Sequence, residues 1–297
     1  MNKIITLLKN IKYLMNHSLN EEKKDIIYNT LIRLDDYYKY EILDDMEYIN
    51  NMPVLDVYNY DETINLLLNK PKSFCRFGDG EIELIEGKGI PFQEYNEVLG
   101  RRLKNILHTY YRDMYVGINY NYFHNTRNMN ELNRKFYLYD VKVYREKLLK
   151  YCNPTTKYIA AGFNQLYMVM QKFDYDNYYD KIKSLFKDKE LVVFCGVGIL
   201  EKHEYNVFEN CDSIEYVSFP NKNAFACYSE ILNKARTYSK NKILCFILGP
   251  TSKILVEDLT KEGYMAWDIG HMAKDYDVYM RKVAKTQDEI GKFFMPD

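Results

Sequence analysis

Short, continuous runs of apolar residues recur through the second half of this 297-residue chain. They lie at residues 191–195, 214–219, 242–248 and 264–269, and helical patterns separate them. Apart from 214–219, where Glu215 and Ser218 interrupt the apolar residues, the runs do not alternate apolar with polar residues, as strands with one solvent-exposed face would. Strands that are buried on both faces and that alternate with helices predict a parallel sheet covered by helices on both sides.

The first half of the chain divides into two regions. Strand-like runs at 73–78, 114–119 and 158–163 extend the α/β pattern, whereas residues 1–60 are helical in pattern throughout. We therefore predict a helical N-terminal extension, residues 1–60, followed by one α/β domain, residues 61–297. The basic amphipathic pattern of residues 1–16 is typical of a helix on an anionic membrane surface and, more commonly, of a helix packed on its own domain. The extension can also serve self-association into a homo-oligomer.

Charge and cysteine usage exclude several classes of protein. The formal net charge is −1, which argues against a nonspecific nucleic-acid binder. The six cysteines form no C-x-x-C pair, so a zinc site is not expected. Free cysteines inside strand-like runs indicate a reducing, cytoplasmic compartment. No signal-peptide pattern or membrane-spanning run is evident, so we expect a cytoplasmic protein, at the inner face of the membrane if residues 1–16 bind lipid.

An acidic pair follows the strand at 73–78. Asp79 and Glu81 flank a glycine, and in an extended backbone their carboxylates would project to the same side. Gly78 lets a phosphate or an ion approach the backbone, and Arg76 adds positive charge. Two carboxylates together with diphosphate oxygens suit Mg²⁺ or Mn²⁺. The same residues fit a capped turn equally well, with Asp79 as the N-cap and Glu81 favouring the helix dipole.

A glycine turn follows the strand at 191–195. Gly196 and Gly198 begin a pattern that resembles the dinucleotide fingerprint, but Glu201 stands where its third glycine would be. A classical NAD site is therefore not expected. A turn that lets another ligand approach and a tight packing turn remain equal alternatives.

The strand at 242–248 leads into a helix through Gly249 and Lys253. Free N–H groups and the positive end of a helix dipole attract phosphate at such a junction. Thr251 or Ser252 would either cap the helix or bind a phosphate oxygen, and Lys253 would reach a phosphate. The junction is not a Walker A loop, because its lysine is not preceded by the required glycine spacing.

Asp268 and His271 end the last predicted strand. The carboxyl ends of parallel strands meet at one edge of the sheet, so we expect them to lie near the other polar strand ends. Convergence of these ends predicts a ligand site more strongly than any one motif does. Asp268 and His271 are candidates for a general base.

Several blocks of the sequence resemble the bacterial glycosyltransferases of the GT-D fold. The first signature is matched by SFCRFGDGE at residues 73–81, and further similar blocks lie at residues 92–93, 196–198, 220–225, 247–255 and 263–271. The resemblance spans residues 61–280 and leaves residues 1–60 outside. It implies a Rossmann-like catalytic domain, a UDP-sugar donor and a divalent cation held by an Asp-x-Glu motif, which corresponds to Asp79 and Glu81.

The resemblance further implies a metal-dependent hexosyltransferase. It would move a hexose, from UDP-glucose or UDP-galactose, to a glycan or glycoprotein acceptor in bacterial surface polysaccharide or glycoprotein biosynthesis. The donor contacts of Arg76, Thr251, Lys253 and His271 are our own physical inference. Two alternatives stay open, namely a metal-dependent phosphoesterase or other nucleotide-using Rossmann enzyme, and a non-catalytic partner of a glycosylation enzyme.

Overall fold

The computed structural model describes residues 53–295, together with residues 8–9, 11–12, 26–32, 34 and 37–39. These short N-terminal stretches are helical. The other predictions for residues 1–52, including most of the basic helix at 1–16, lie outside the described residues. The division of the chain at residue 60 stays a prediction.

Residues 53–295 contain one sheet of parallel strands. The strands are β1 (Ser73–Arg76), β2 (Met114–Ile118), β3 (Ile159–Ala160), β4 (Glu190–Gly196), β5 (Ser213–Phe219), β6 (Ile243–Ile247) and β7 (Met265–Asp268). They are ordered β3-β2-β1-β7-β6-β4-β5, and each neighbouring pair is parallel. The predicted parallel α/β fold is therefore confirmed.

Helices connect the strands. Within residues 53–295 they are α1 (Tyr60–Asn69), α2 (Asp79–Ile85), α3 (Glu97–His108), α4 (Glu131–Tyr151), α5 (Leu166–Val169), α6 (Tyr175–Phe186), α7 (Tyr228–Ala235), α8 (Thr251–Lys261), α9 (Met272–Met280) and α10 (Gln287–Phe294). No described helix is both long enough and apolar enough to cross a lipid bilayer.

The sheet separates two hydrophobic cores. Successive residues of a strand point to opposite faces. On β4, Val192 and Phe194 pack in the core that contains α3 and α8, whereas Val193 and Cys195 pack in the core that contains α1 and α6. All four side chains are buried, which explains why the strands read as continuous apolar runs. Truncating Phe194 to alanine would cost about 3–5 kcal/mol of stability.

The segment after β3 differs from the predicted strand at 158–163. Only Ile159–Ala160 pair with β2, and the chain then turns into a 3₁₀ helix, Ala161–Asn164. The turn occurs where the Ala161 carbonyl accepts a hydrogen bond from Nη1 of Arg76 at 3.2 Å. A long-range contact therefore ends this strand, and no local pattern marks it.

The segment between β3 and β4 contains two helices, α5 and α6. The Asp174 side chain caps α6 by accepting from the Asn177 N–H at 3.3 Å. The Asn59 side chain caps α1 in the same way, by accepting from the Glu62 N–H at 2.9 Å. In both places a short polar side chain just before the helix satisfies a backbone donor that the helix leaves unpaired.

A close approach between α2 and α3 positions the first turn of α2. A Cβ at Gly100 would lie 2.6 Å from the carbonyl oxygen of Leu84, so only glycine fits at this crossing. The Leu84 side chain is fully buried. The contact holds α2, and with it Asp79 and Glu81, at the end of β1.

Candidate active site at the carboxyl edge of the sheet

A cavity of 1220 Å³ opens at the carboxyl edge of the sheet. The strand order reverses between β4 and β6, because β4 leads outward to β5 whereas β6 leads inward to β7. Open α/β sheets bind ligands at such a reversal. The predicted site residues that line the cavity are Arg76, Gly78, Asp79, Glu81, Gly249, Lys253, Asp268 and His271. The structure therefore brings together residues that lie far apart in the sequence.

Lys253 is the centre of the charged network at this edge. Its ammonium lies 2.9 Å from Oε1 of Glu81 and 3.1 Å from Oδ2 of Asp268, and it donates to the Gly249 carbonyl at 3.2 Å. Only 4% of Lys253 is exposed. Burial disfavours its charge, but Asp268 and Glu81 outweigh burial and raise the pKa of Lys253 above its ordinary value. Lys253 is therefore a fixed cation.

Arg76 joins the ends of β1 and β7 to the turn after β3. Nε donates to the Asp268 carbonyl at 2.8 Å, and Nη1 donates to Oδ1 of Asn164 at 2.8 Å. The Arg76 backbone N–H also donates to Oδ2 of Asp268, at 3.0 Å. The guanidinium is thus largely engaged within the protein. Asn164 is a buried site residue that the sequence analysis missed, since nothing near it in the sequence points to Arg76.

Gly270 makes room for the Arg76 guanidinium. A Cβ at Gly270 would lie 1.8 Å from Nη2 of Arg76, and its φ of +46° also favours glycine. The glycine after β7 therefore has a packing role, which the sequence alone does not distinguish from a ligand-binding one.

Asp79 and Glu81 lie in the first turn of α2. The expectation that they project to the same side of an extended segment is wrong, because residues two apart on a helix point about 200° away from each other. The N-cap of α2 is Gly78, so the alternative of Asp79 as N-cap is also wrong. Glu81 turns back, and its Oε2 accepts from the Gly78 N–H at 2.8 Å. Its other oxygen faces Lys253.

The Asp79 carboxylate lies within a group of tyrosines. Burial, and after it the charge of Glu81, raises the pKa of Asp79. Burial raises the pKa of Tyr137 and Tyr144, and the charge of Asp79 is the next cause in both. The buried hydroxyl of Tyr122, whose pKa Asp79 also contributes to raising, has no hydrogen-bond partner in the described part of the chain. An added cation beside Asp79 would stabilise this carboxylate.

The glycine turn after β4 packs against the turn after β5. A Cβ at Gly196 would lie 2.3 Å from Oδ1 of Asn221, so the close approach requires glycine. Gly198 has a φ of +73° and open space around its Cα. Asn221 and Ile199, rather than the glycines themselves, line the cavity. The geometry assigns Gly196 a packing role.

The two hydroxyls of the turn before α8 have different surroundings. Ser252 Oγ accepts from the Leu248 N–H at 3.0 Å, which stabilises the turn. The N-cap is Pro250, so neither Thr251 nor Ser252 caps α8. Thr251 is fully buried, and its hydroxyl has no hydrogen-bond partner among the described residues. Of this segment, Gly249, Pro250 and Lys253 line the cavity.

His271 lies at the N-cap of α9 and lines the cavity. Its Nδ1 lies 3.3 Å from Oε1 of Gln165, in the turn that also carries Asn164. The centre of its ring is 5.4 Å from the Phe293 ring of α10. These contacts orient the imidazole at the cavity wall. His271 is distant in sequence from the turn after β3 but lies next to it in space.

The donor set of the site can be compared with the needs of a divalent cation. Among the described residues, no three His, Cys, Asp or Glu side chains form a metal cage. Mg²⁺ commonly binds one or two protein carboxylates and completes its shell with phosphate oxygens and water. Asp79 fits that role, whereas both oxygens of Glu81 are engaged by Gly78 and Lys253. The residues therefore fit a metal–diphosphate site in which Asp79 is the direct protein ligand.

Comparison with known families gives one match over most of the domain. The family model described as "Glycosyltransferase GT-D fold" matches residues 74–292. This match contains every candidate site residue predicted from the sequence.

Two curated streptococcal proteins are similar to this chain. A probable glycosyl transferase Gly from Streptococcus gordonii is 31% identical over 232 residues, which cover 75% of this chain and 33% of that protein. Glycosyltransferase GlyD from Streptococcus pneumoniae serotype 4 is 25% identical over 237 residues, which cover 80% of this chain and 29% of that protein. The chain therefore spans about a third of the length of these relatives.

Solved structures with the same fold are also similar in sequence. A structure of the domain of unknown function 1792, described as having a distinct glycosyltransferase fold, is 31% identical with a TM-score of 0.74 and covers 80% of this chain and 86% of its own. A structure described as a new glycosyltransferase from Streptococcus sanguinis is 27% identical with a TM-score of 0.73 and covers 79% of this chain and 87% of its own. The resemblance predicted from the sequence is confirmed.

Proposed function

Because this chain belongs to the glycosyltransferase GT-D fold family, we propose that it transfers a hexose from a UDP-sugar, UDP-glucose or UDP-galactose, to a hydroxyl of a glycan or glycoprotein. One observation carries the proposal: Asp79 and the buried Lys253–Glu81–Asp268 network lie together on a cavity at the reversal of strand order. Nucleotides bind other α/β sheets at this place.

The charges of the site support a diphosphate leaving group that needs a further cation. Arg76 and Lys253 are balanced by Glu81 and Asp268, so these four side chains together carry no net charge. Asp79 adds a negative charge. A donor diphosphate would therefore enter a site with no surplus of positive charge. Mn²⁺ or Mg²⁺ held by Asp79 would act as a Lewis acid that neutralises the departing nucleotide diphosphate.

The protein's own groups would position the donor. The N-terminus of α8 directs its dipole toward the edge of the sheet where Gly249 and Lys253 line the cavity. The three N–H groups of Lys253 are taken by Glu81, Asp268 and the Gly249 carbonyl. Lys253 would therefore act on the diphosphate through its fixed positive charge, without reorganising its carboxylate partners. Charge on the leaving group would then be stabilised by groups that are already in place.

Of the two candidates for a general base, the geometry favours His271. Asp268 is 1% exposed and accepts from Arg76 and Lys253, so it positions the network. His271 lines the cavity, and its Nδ1 faces Gln165. If Nδ1 carries the ring proton, Nε2 is the nitrogen able to accept a proton from an acceptor hydroxyl.

The wider setting of the reaction is also part of the proposal. We place it in bacterial surface polysaccharide or glycoprotein biosynthesis, on the cytoplasmic side of the membrane. All six cysteines are free thiols in the structure, and a reducing compartment keeps thiols in that state.

Release of UDP from UDP-glucose and UDP-galactose tests the function. We expect turnover with Mn²⁺ or Mg²⁺, loss of turnover in EDTA, and a fall of at least about a hundredfold in Asp79→Asn. The matched control is Asp212→Asn, an exposed aspartate before β5. Turnover in EDTA equal to that with Mn²⁺, or an Asp79→Asn variant as active as Asp212→Asn, would contradict the proposal.

A further inference from the structure

Two segments that the proposed function does not use meet at one end of the cavity. They are the loop at residues 90–94, after α2, and the turn at residues 220–225, after β5. The Asn223 N–H donates to the Phe92 carbonyl at 2.9 Å. Oδ1 of Asn223 accepts from the Glu94 N–H at 2.7 Å. Although they are distant in the sequence, the loop and the turn are therefore joined at one place.

A buried amide adds a second connection between the loop and the turn. Oε1 of Gln93 accepts from the Phe225 N–H at 3.2 Å, and its Nε2 donates to the Glu94 carbonyl at 3.1 Å. Only 5% of Gln93 is exposed. Asn223 has a φ of +55°, which asparagine adopts more readily than most residues with a side chain. Gln93 and Asn223 thus hold the backbone of both segments in place.

This backbone presents an aromatic ring and an amide to the cavity. Phe92 is half-buried, Asn221 is exposed, and both line the cavity. Cβ of Phe92 lies 4.0 Å from the position of a Cβ at Gly249, so the ring lies beside the turn before α8. Oδ1 of Asn221 and Cδ1 of Ile199 lie 2.3 Å and 2.6 Å from the position of a Cβ at Gly196. An amide and an aliphatic side chain therefore lie together over this glycine, next to the loop that carries Phe92.

The order of the strands indicates which part of the donor this end of the cavity would hold. Asp79 follows β1 and Lys253 follows β6, so a diphosphate between them would lie near the middle of the edge. Asn221 follows β5, which is two strand spacings, or roughly 10 Å, beyond β6. A ribose with its base can span that distance. His271 contacts Gln165 in the turn after β3, so the proposed general base lies on the opposite side of the diphosphate.

We propose that Phe92 and Asn221 form the subsite for the base of the donor nucleotide. The ring of Phe92 stacks on the base, as aromatic side chains do in other nucleotide sites. The amide of Asn221 supplies donors and an acceptor, which match the adjacent N–H and carbonyl groups on the edge of uracil. The inference rests on the proposed function, because the diphosphate must be bound beside this subsite. Phe92 and Asn221 then determine the choice of nucleotide.

The test compares two ligands by calorimetry in the full chain with Mn²⁺. The probes are UDP and ribose 5-diphosphate, which lacks only the base. In Phe92→Ala we expect UDP to bind roughly tenfold more weakly, because one stacking contact is lost, and ribose 5-diphosphate to bind as in the wild type. Phe92→Tyr, which keeps the ring, should bind UDP with nearly wild-type affinity. Asn221→Ala, which truncates an exposed side chain, should weaken UDP binding roughly threefold to tenfold and leave ribose 5-diphosphate unaffected.

The control is Phe136→Ala on α4, because Phe136 also lines the cavity and is 47% exposed. It should bind UDP as the wild type does. The subsite would be overturned if Phe92→Ala and Phe136→Ala had the same UDP affinity, or if Phe92→Ala and Asn221→Ala weakened both ligands equally. A wild-type protein that binds UDP no more tightly than ribose 5-diphosphate would also overturn it. Absence of binding of both ligands to the wild type would instead contradict the proposed function, so the two failures are distinguishable.

Discussion

The ammonium of Lys253 lies 2.9 Å from a carboxylate oxygen of Glu81, and both side chains are buried at the carboxyl edge of the sheet. The pair joins the start of α8 to the first turn of α2. The carboxylate of Asp268, at the end of β7 between β1 and β6, contacts the same ammonium. Three segments that are distant in sequence are thus held together by charge, and the proposed donor site depends on their relative position.

Replacing Lys253 by methionine should leave Glu81 and Asp268 buried without their shared cation. Breaking a buried pair by removing one partner typically costs about 3–5 kcal/mol. We expect a loss of that order in the free energy of unfolding, measured by urea titration, together with loss of turnover. The control is Lys261→Met on the same helix, because Lys261 is 59% exposed and pairs with Glu257. It should cost about 1 kcal/mol or less. Equal losses in the two variants would contradict the assignment.

Replacing Gly270 by alanine should displace the Arg76 guanidinium. The new Cβ would overlap Nη2, and alanine would be held at a positive φ. We expect a loss of about 1–3 kcal/mol in the free energy of unfolding. Gly291→Ala on α10 is the control, since a Cβ there meets nothing within 4 Å. That variant should be neutral or more stable than the wild type. A Gly270→Ala protein of wild-type stability would show that Arg76 does not require the close approach.

Stability should depend on pH through Asp275, which lies away from the charged network. Burial raises the pKa of Asp275 to about 7 from its ordinary 3.8, although the hydroxyl of Tyr179 donates to it at 2.8 Å. The folded protein therefore binds this proton more tightly than the unfolded chain does. The resulting stabilisation is complete below about pH 4 and is lost as the pH rises through about 7.

The measurement is the free energy of unfolding of the wild-type protein relative to Asp275→Asn. From about pH 5 to about pH 8 we expect this difference to move against the wild type by roughly 2–3 kcal/mol. Subtracting the variant removes the contribution of other groups that titrate in the same range. A difference that stays constant with pH would show that Asp275 is ionised throughout.

The sequence predicted the fold class well because the signal is local. Residues 191–195 and 242–248 are apolar without alternation, and only strands buried on both faces produce that pattern. The same reasoning placed Asp79, Lys253 and Asp268 at one edge, because parallel strands end on the same side. These inferences need only the order of elements along the chain.

The detailed geometry of the site depends on contacts between distant residues. Whether the Asp79–Glu81 segment is extended or helical decides where the two carboxylates point, and the glycine between them permits either conformation. Arg76 looked free to bind phosphate, but Asn164 and Asp268 engage it from two other segments. Similarly, position 196 requires glycine because Asn221, in the turn after the neighbouring strand, approaches it closely. Such pairings leave no periodic signal in the sequence.

Calorimetric titration of UDP into the protein tests the central claim most directly. It measures UDP binding to the proposed metal–diphosphate site without requiring the acceptor. We predict saturable binding in Mn²⁺, and binding at least about tenfold weaker both in EDTA and in Asp79→Asn with Mn²⁺ present. Asp212→Asn should bind UDP as the wild type does. Equal UDP affinity in Mn²⁺ and in EDTA, or no UDP binding under either condition, would contradict the account.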